Sequence, residues 1–316
     1  MSQTQPQGIE FALESSPFRL DDDAAYGHWR ARKLRRYPRH LEQQRVSIAS
    51  LGRLSASERG RILRACRRAN FALYRTDPAA PPGKDELSAC GQRLGLVRFD
   101  RHLWAPDEGI VALRREDRTR RAAYLPYTDR AMKWHTDGYY NATDCAVRGV
   151  IMHCVARAAE GGANCLLDPE MVYIAVRDAD PAYIRALMQP DAMTIPENAL
   201  EPGVYRPAVS GPVFSVDPDD GALNMRYTAR TRSIVWKDDA VTRDAVSFLE
   251  ALLTPPVSFA FRVRLEAGEG IVCNNVLHSR EAFTDDSASN RKRLLWRARY
   301  RDRIAGTTPW RDGDRW

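Results

Sequence analysis

Trp134-His135-Thr136-Asp137-Gly138 carries the strongest chemical signal in the chain. In an extended segment, residues two apart share one face of the pleat, so His135 and Asp137 would project together. They would offer one imidazole and one carboxylate to the same ion. A second histidine must then arrive from a distant segment. The chain contains His28, His40, His102, His135, His153 and His278. His278 follows the apolar run GIVCNNVL and precedes a polar loop, which puts it at a strand end, where sites tend to be built. His28 falls on a basic helix, and His40 and His102 sit in charged or loop surroundings. His153 lies in an apolar strand, where a hydrogen-bonded core histidine is the plainer reading. Two histidines and one carboxylate on one side of a metal form the facial ligand set of non-haem iron(II) sites. Three protein ligands leave two positions for a chelating 2-oxo acid and a third for dioxygen. The same ligands could also serve the zinc of a hydrolase.

The segment Arg291-Lys-Arg-Leu-Leu-Trp-Arg-Ala-Arg-Tyr300 bears on that choice. In a strand, Arg293, Leu295, Arg297 and Arg299 share one face, while Leu294, Trp296, Ala298 and Tyr300 share a mostly apolar one. A row of arginines turned into a barrel is costly unless an anion pairs with it. Guanidinium binds carboxylate through two parallel hydrogen bonds, which suits an anionic co-substrate. Arg293 lies fifteen residues beyond His278. A zinc hydrolase leaves these arginines unexplained. An exposed basic strand face is the blander alternative.

The elements that must position these residues can be read from pattern. Asp21–Tyr37 opens with acids and closes with bases, as a helix dipole favours, and Pro38 ends it. A second helix starts near Leu54 with the capping residues SASE. FALYR (71–75) reads as a strand, and a Pro-rich turn leads to a helix around Leu87–Leu94. From Gly109 onward short β-rich segments dominate: GIVALRR, VRGVIMHCVA, NCLLD, GPVFSVD, NMRYTAR, SFAFRVRL, GIVCNNV and RLLWRARY. Two helical inserts interrupt them, DPAYIRALMQ and TRDAVSFLEALL. Many short strands with few helices suggest a sandwich or jelly roll.

The 316 residues, 44% hydrophobic, suffice for one sizeable core. The reading is a single domain over 51–316, preceded by an N-terminal extension over 1–50 that contains a helix and starts as a loosely held arm. No apolar stretch reaches the roughly 18 residues of a membrane span. The N-terminus lacks the basic and apolar regions of a secretory signal. Cys66, Cys90, Cys145, Cys154, Cys165 and Cys273 form no C-x-x-C pair, and several sit in apolar runs. Reduced thiols in a cytoplasmic protein are expected. The net charge of +7 raises the question of nucleic acid, but the bases interleave with acids, as in RREDRTRR, which argues against it. Homo-oligomerisation is left open.

In its motifs and their order the chain resembles the TauD/TfdA (taurine dioxygenase-like) family of Fe(II)/2-oxoglutarate-dependent oxygenases. The resemblance covers roughly 50–303. It rests on WHTDG at 134–138, GGANCLLD at 161–168, GPVFSVDPDDGALNMRYTARTRSI at 211–234, NNVLH at 274–278 and RLLWRARY at 293–300. It implies a mainly β fold with peripheral helices, a double-stranded β-helix with a cupin-like jelly-roll core. It implies Fe(II) on His135, Asp137 and His278, and 2-oxoglutarate with its distal carboxylate on Arg293. Asn164 stands where relatives carry a threonine that helps hold that carboxylate. Arg297 matches an arginine facing the substrate, and Tyr140 matches an aromatic pocket wall, though an ordinary core aromatic explains Tyr140 equally well. The implied reaction consumes dioxygen, releases succinate and carbon dioxide, and hydroxylates a C–H bond; desaturation or ring closure would use the same ligands. Asp137 argues against halogenation. The substrate expected is a small anionic or zwitterionic metabolite, with Tyr139 and Tyr140 able to face an ammonium group. A nucleic-acid- or protein-directed oxygenase, or a non-catalytic barrel, are the remaining alternatives.

Overall fold

In the computed structural model the described residues are 16–77, 79–100, 109–201, 204–230, 234–286 and 292–308. His102 lies outside them. Ten strands in two sheets carry the site: β1 (Arg45–Ser47), β2 (Phe71–Arg75), β3 (Ile110–Leu113), β4 (Met132–His135), β5 (Gly149–Ala156), β6 (Asn164–Leu167), β7 (Phe261–Val263), β8 (Glu269–Cys273), β9 (Leu277–Arg280) and β10 (Leu294–Tyr300). The large sheet has the order β1-β2-β8-β5-β10-β3, and only β1–β2 runs parallel. The small sheet, β7-β6-β9-β4, is antiparallel throughout.

Period-two alternation divides the large sheet between two cores. Phe71, Leu73, Val150, Cys154, Ile271 and Leu295 turn toward the small sheet and meet Leu166, Val263 and Leu277. Ala72, Tyr74, Ile151, Val272, Ala298 and Tyr300 turn outward, against helices. The helices on that side are α2 (Ala56–Ala69) and α3 (Lys84–Arg93). Each follows from its sequence. Ser55 and Glu58 form a capping box that starts α2, and Asn70 ends it in a left-handed conformation. The sandwich is the jelly roll expected from the strand pattern.

The N-terminal helix α1 (Asp23–Arg36) is capped by Asp22, whose carboxylate accepts from Ala25 N–H at 2.8 Å. Its Tyr26 and Trp29 are buried against Phe18 and Tyr173, so the helix shares the main hydrophobic cluster. Phe18 was expected in a loose arm. It is instead fully buried, edge-on to Trp29 and Tyr173. Residues 45–47 likewise join the large sheet.

Outside the small sheet lie α4 (Pro169–Ala179), α5 (Pro181–Leu187) and α6 (Ala240–Leu252). The last two match the expected inserts. Helix α4 was not expected, although Asp168 as N-cap and Pro169 at the first position announce it. Its run MVYIAV is buried nearly all round, so it lacks the polar face that makes a helix visible as a period. All six cysteines are free thiols, four of them buried. Among the described residues no helix is long and apolar enough to cross a membrane.

Candidate active site

His135 ends β4 and His278 lies in β9, directly opposite it in the antiparallel register. Their ring centroids are 4.2 Å apart. The sequence placed His278 at the end of the GIVCNNVL strand. That strand stops at Cys273, and after a turn His278 sits inside a short strand of its own. Asp137 was expected on the same strand as His135. The strand instead stops at His135 and a turn carries Asp137, yet ligand atoms of His135, Asp137 and His278 lie within 4.8 Å of one another.

Hydrogen bonds settle which atoms face inward. Nδ1 of His135 donates to Lys133 O at 2.8 Å, and Nδ1 of His278 donates to Val276 O at 2.9 Å. A carbonyl can only accept, so both imidazoles carry a proton on Nδ1, which leaves Nε2 as the ring atom able to take a metal. Burial pushes the His135 imidazole down to about 3, helped by the neighbouring His278, which keeps it neutral. Asp137 is buried too, which alone would raise its pKa. The Arg297 and Arg299 guanidiniums overturn that effect and hold it well below the usual carboxylate range. Arg297 Nη1 donates to Asp137 Oδ1 at 2.8 Å, and Arg299 Nη1 lies 3.7 Å from the same oxygen. Asp137 Oδ2 is buried without a hydrogen-bond partner.

The backbone at Asp137 is held from β8's exit turn. Asn275 Oδ1 accepts from Asp137 N–H at 2.8 Å, while its Nδ2 donates to Asp137 O at 2.9 Å and Val147 O at 2.7 Å. Asn275 adopts φ 48°, a left-handed conformation that asparagine tolerates better than most residues. Sequence reasoning quoted the NNVLH motif but assigned this side chain no role. The signal was available: two polar residues between apolar strands.

Arg293, Asn164, Gly161 and Gly162 line one narrow cleft, together with Arg264. A Cβ on Gly161, at φ 67°, would meet Ala282 O at 2.2 Å, so the Gly-Gly pair is required there. Arg293 is buried, its guanidinium 4.9 Å from the Phe283 ring centroid, and its Nη1 has no hydrogen-bond partner. Burial pulls its pKa down to about 10. A buried guanidinium with an unpartnered Nη1 suits an anion.

The other two arginines differ from each other. Arg297 is bound to Asp137, but its buried Nε is unpartnered. Arg299 is engaged on both sides, by an ion pair with buried Asp100 and by a hydrogen bond to Tyr140 Oη at 3.0 Å. Arg299 therefore locks Tyr140, whose ring stands edge-on to Tyr139 at 5.2 Å. That lock was not foreseen.

The family model described as "Taurine catabolism dioxygenase TauD, TfdA family" matches residues 32–299. The chain belongs to the TauD/TfdA family. A curated relative, a uridine-5'-phosphate dioxygenase from a Streptomyces species, is 31% identical over 178 residues. That match takes in 54% of this chain and 62% of the relative, so the chain spans about three fifths of the relative's length. Among solved structures, the non-heme iron oxygenase OrfP superposes with a TM-score of 0.56 at 15% identity, covering 94% of this chain and 92% of that one. A putative alpha-ketoglutarate-dependent taurine dioxygenase from Burkholderia xenovorans gives a TM-score of 0.55 at 15% identity, covering 81% and 86%. These structural likenesses carry the TauD/TfdA fold.

Proposed function

We propose that this chain is an Fe(II)- and 2-oxoglutarate-dependent dioxygenase that hydroxylates a C–H bond of a small anionic metabolite. The reading rests above all on the buried, unpartnered Oδ2 of Asp137 beside two imidazoles that leave Nε2 for a metal. One carboxylate oxygen and two imidazole nitrogens suit iron(II), and a carboxylate held ionised by arginines needs no proton loss to bind it. When bound, iron(II) with 2-oxoglutarate and dioxygen supplies the oxidising power, yielding succinate and carbon dioxide.

The chain's own residues do the rest. Arg297 fixes Asp137 through Oδ1 and leaves Oδ2 for the metal. Arg293 holds the distal carboxylate of 2-oxoglutarate in the cleft beside Gly161, Gly162 and Asn164. The free Nε of Arg297 and the Tyr140 ring bound the place of the primary substrate. The relative named for uridine-5'-phosphate supports an anionic substrate. The six free thiols support a reducing, cytoplasmic setting.

Anaerobic addition of Fe(II) and then 2-oxoglutarate should produce the visible metal-to-ligand charge-transfer band of a chelated 2-oxo acid. Asp137→Ala should abolish it. Absence of the band in the parent protein overturns the proposal. A panel of anionic metabolites, read by stimulated succinate release, then identifies the substrate.

A further inference from the structure

A cleft of about 540 Å³ opens between α1 and α2, and none of the His135, Asp137 or His278 side chains lines it. Its walls are cationic from both sides. Arg35, Arg36 and Arg39 come from the end of α1 and the turn beyond it, and Arg64 and Arg68 come from α2. None of these five side chains has a carboxylate partner among the described residues. Elsewhere on the surface arginines commonly do: Arg30 with Asp178, Arg98 with Asp302, Arg157 with Glu266, and Arg262 with Glu281.

Glu170 is the one acid on the cleft wall, and its charge is already spent. Lys33 Nζ sits 2.6 Å from Glu170 Oε2 and 2.5 Å from Asp168 Oδ2, all three buried. Arg303 Nη2 adds a second cation 4.0 Å from Glu170. The cleft thus holds a concentrated positive field with no internal counter-charge. Five like charges on the two walls of one cleft repel one another, and a bound anion would offset that repulsion. The volume lies within the range of small-ligand pockets, about 300–1,000 Å³. Guanidinium forks pair with phosphate oxygens two at a time, and forks from opposing walls suit an anion with several adjacent phosphates.

We propose that the α1–α2 cleft is a second binding site, for a small molecule bearing adjacent phosphate groups. This proposal does not rest on the metal chemistry assigned above. Its probe is inorganic tripolyphosphate, titrated calorimetrically into the full chain at low and at moderate salt. A parallel titration uses a nucleoside triphosphate. The test variant is Arg36→Ala/Arg64→Ala/Arg68→Ala, and the control variant is Arg53→Ala/Arg93→Ala/Arg118→Ala, with equal loss of charge outside the cleft. If the triple cleft variant does not fold, Arg64→Ala/Arg68→Ala on α2 alone replaces it.

Saturable one-to-one binding is expected, weakened about tenfold for each guanidinium removed from the cleft and unchanged in the control variant. Equal affinity for both probes assigns recognition to the phosphates, and a tighter nucleotide adds a contact to the rest of the molecule. No binding at low salt overturns the proposal. So does equal weakening in the two variants, which would mean general charge attraction. Binding of heparin or single-stranded DNA without tripolyphosphate binding also overturns it, in favour of a macromolecular surface.

Discussion

Replacing Asn275 with alanine tests whether one side chain outside the metal ligands positions the ligand loop. The amide satisfies three buried backbone groups, Asp137 N–H, Asp137 O and Val147 O, at 2.7–2.9 Å. Each buried group left without a partner costs about 1–3 kcal/mol, and water entering the vacated space recovers part of that. Alanine at φ 48° adds about 1 kcal/mol of backbone strain. A net loss of about 3–5 kcal/mol follows, at the high end for a single substitution. The same change releases the backbone beneath Asp137, and loss of a group that orients a ligand weakens metal affinity by about 10–100-fold. Urea unfolding and anaerobic Fe(II) titration read the two effects separately. Asn275→Gly removes the same hydrogen bonds but relieves the strain, so it should unfold about 1 kcal/mol later than Asn275→Ala while binding iron equally poorly. If Asn275→Ala unfolds within about 0.5 kcal/mol of the parent and binds iron as tightly, the positioning argument is wrong.

Arg293→Met should weaken 2-oxoglutarate about a hundredfold, from the loss of a bidentate charged contact, while leaving Fe(II) affinity unchanged; titrating the charge-transfer band checks both. Lys33→Met strands the buried carboxylates of Asp168 and Glu170 and should cost about 3–5 kcal/mol in urea unfolding; a cost below 1 kcal/mol would mean that Arg303 alone balances them. Burial holds the His153 imidazole down to about 4, with its Nδ1 3.1 Å from Tyr74 Oη. Unfolded His153 therefore takes up its proton first as pH falls, so its contribution is complete above about pH 6.5 and is lost progressively toward pH 4. Between pH 7 and 5 the parent should lose about 2 kcal/mol more stability than His153→Phe, and parallel pH profiles would remove His153 as the cause.

The cluster was more legible in the sequence than the scaffold that assembles it. His135, Asp137 and His278 could be grouped because few residue types suit a metal and the chain has only six histidines, and their ligand atoms do lie within 4.8 Å of one another. The inner face of β10 could be named because alternation is rigid: Arg297 and Arg299 point inward as Leu295 does, while Ala298 and Tyr300 join the outer core. Arg293, just before the strand, lines the Gly161–Gly162 cleft together with Leu295, as alternation expects, although a register shift falls between Leu294 and Leu295. Bulges of this kind depend on the partner strand, here β5, and leave no mark in the local pattern. Helix α4 escaped for the opposite reason, because burial on all sides erased its period. Asn275 and Asp100 escaped because their partners lie 138 and 199 residues away, Asp137 and Arg299 respectively, and no local rule links them.

The three arginines of the β10 segment divide the work of binding among themselves. Arg299 is ion-paired with Asp100 and hydrogen-bonded to Tyr140 through Nη1, which fixes the wall of the site, while its buried Nε has no hydrogen-bond partner. Arg297 shares the charge of Asp137 but keeps one donor free, and Arg293 lies in the field of Asp285 with its Nη1 unpartnered among the described residues. Around the triad the guanidiniums of Arg293, Arg297 and Arg299 therefore face the carboxylates of Asp285, Asp137 and Asp100. A divalent ion adds positive charge, and in a buried site unbalanced charge costs more than it would in water. A dianionic 2-oxo acid offsets the ion. Under the proposed function, the buried Nε of Arg297, which has no hydrogen-bond partner, is a donor available to an anionic group of the primary substrate.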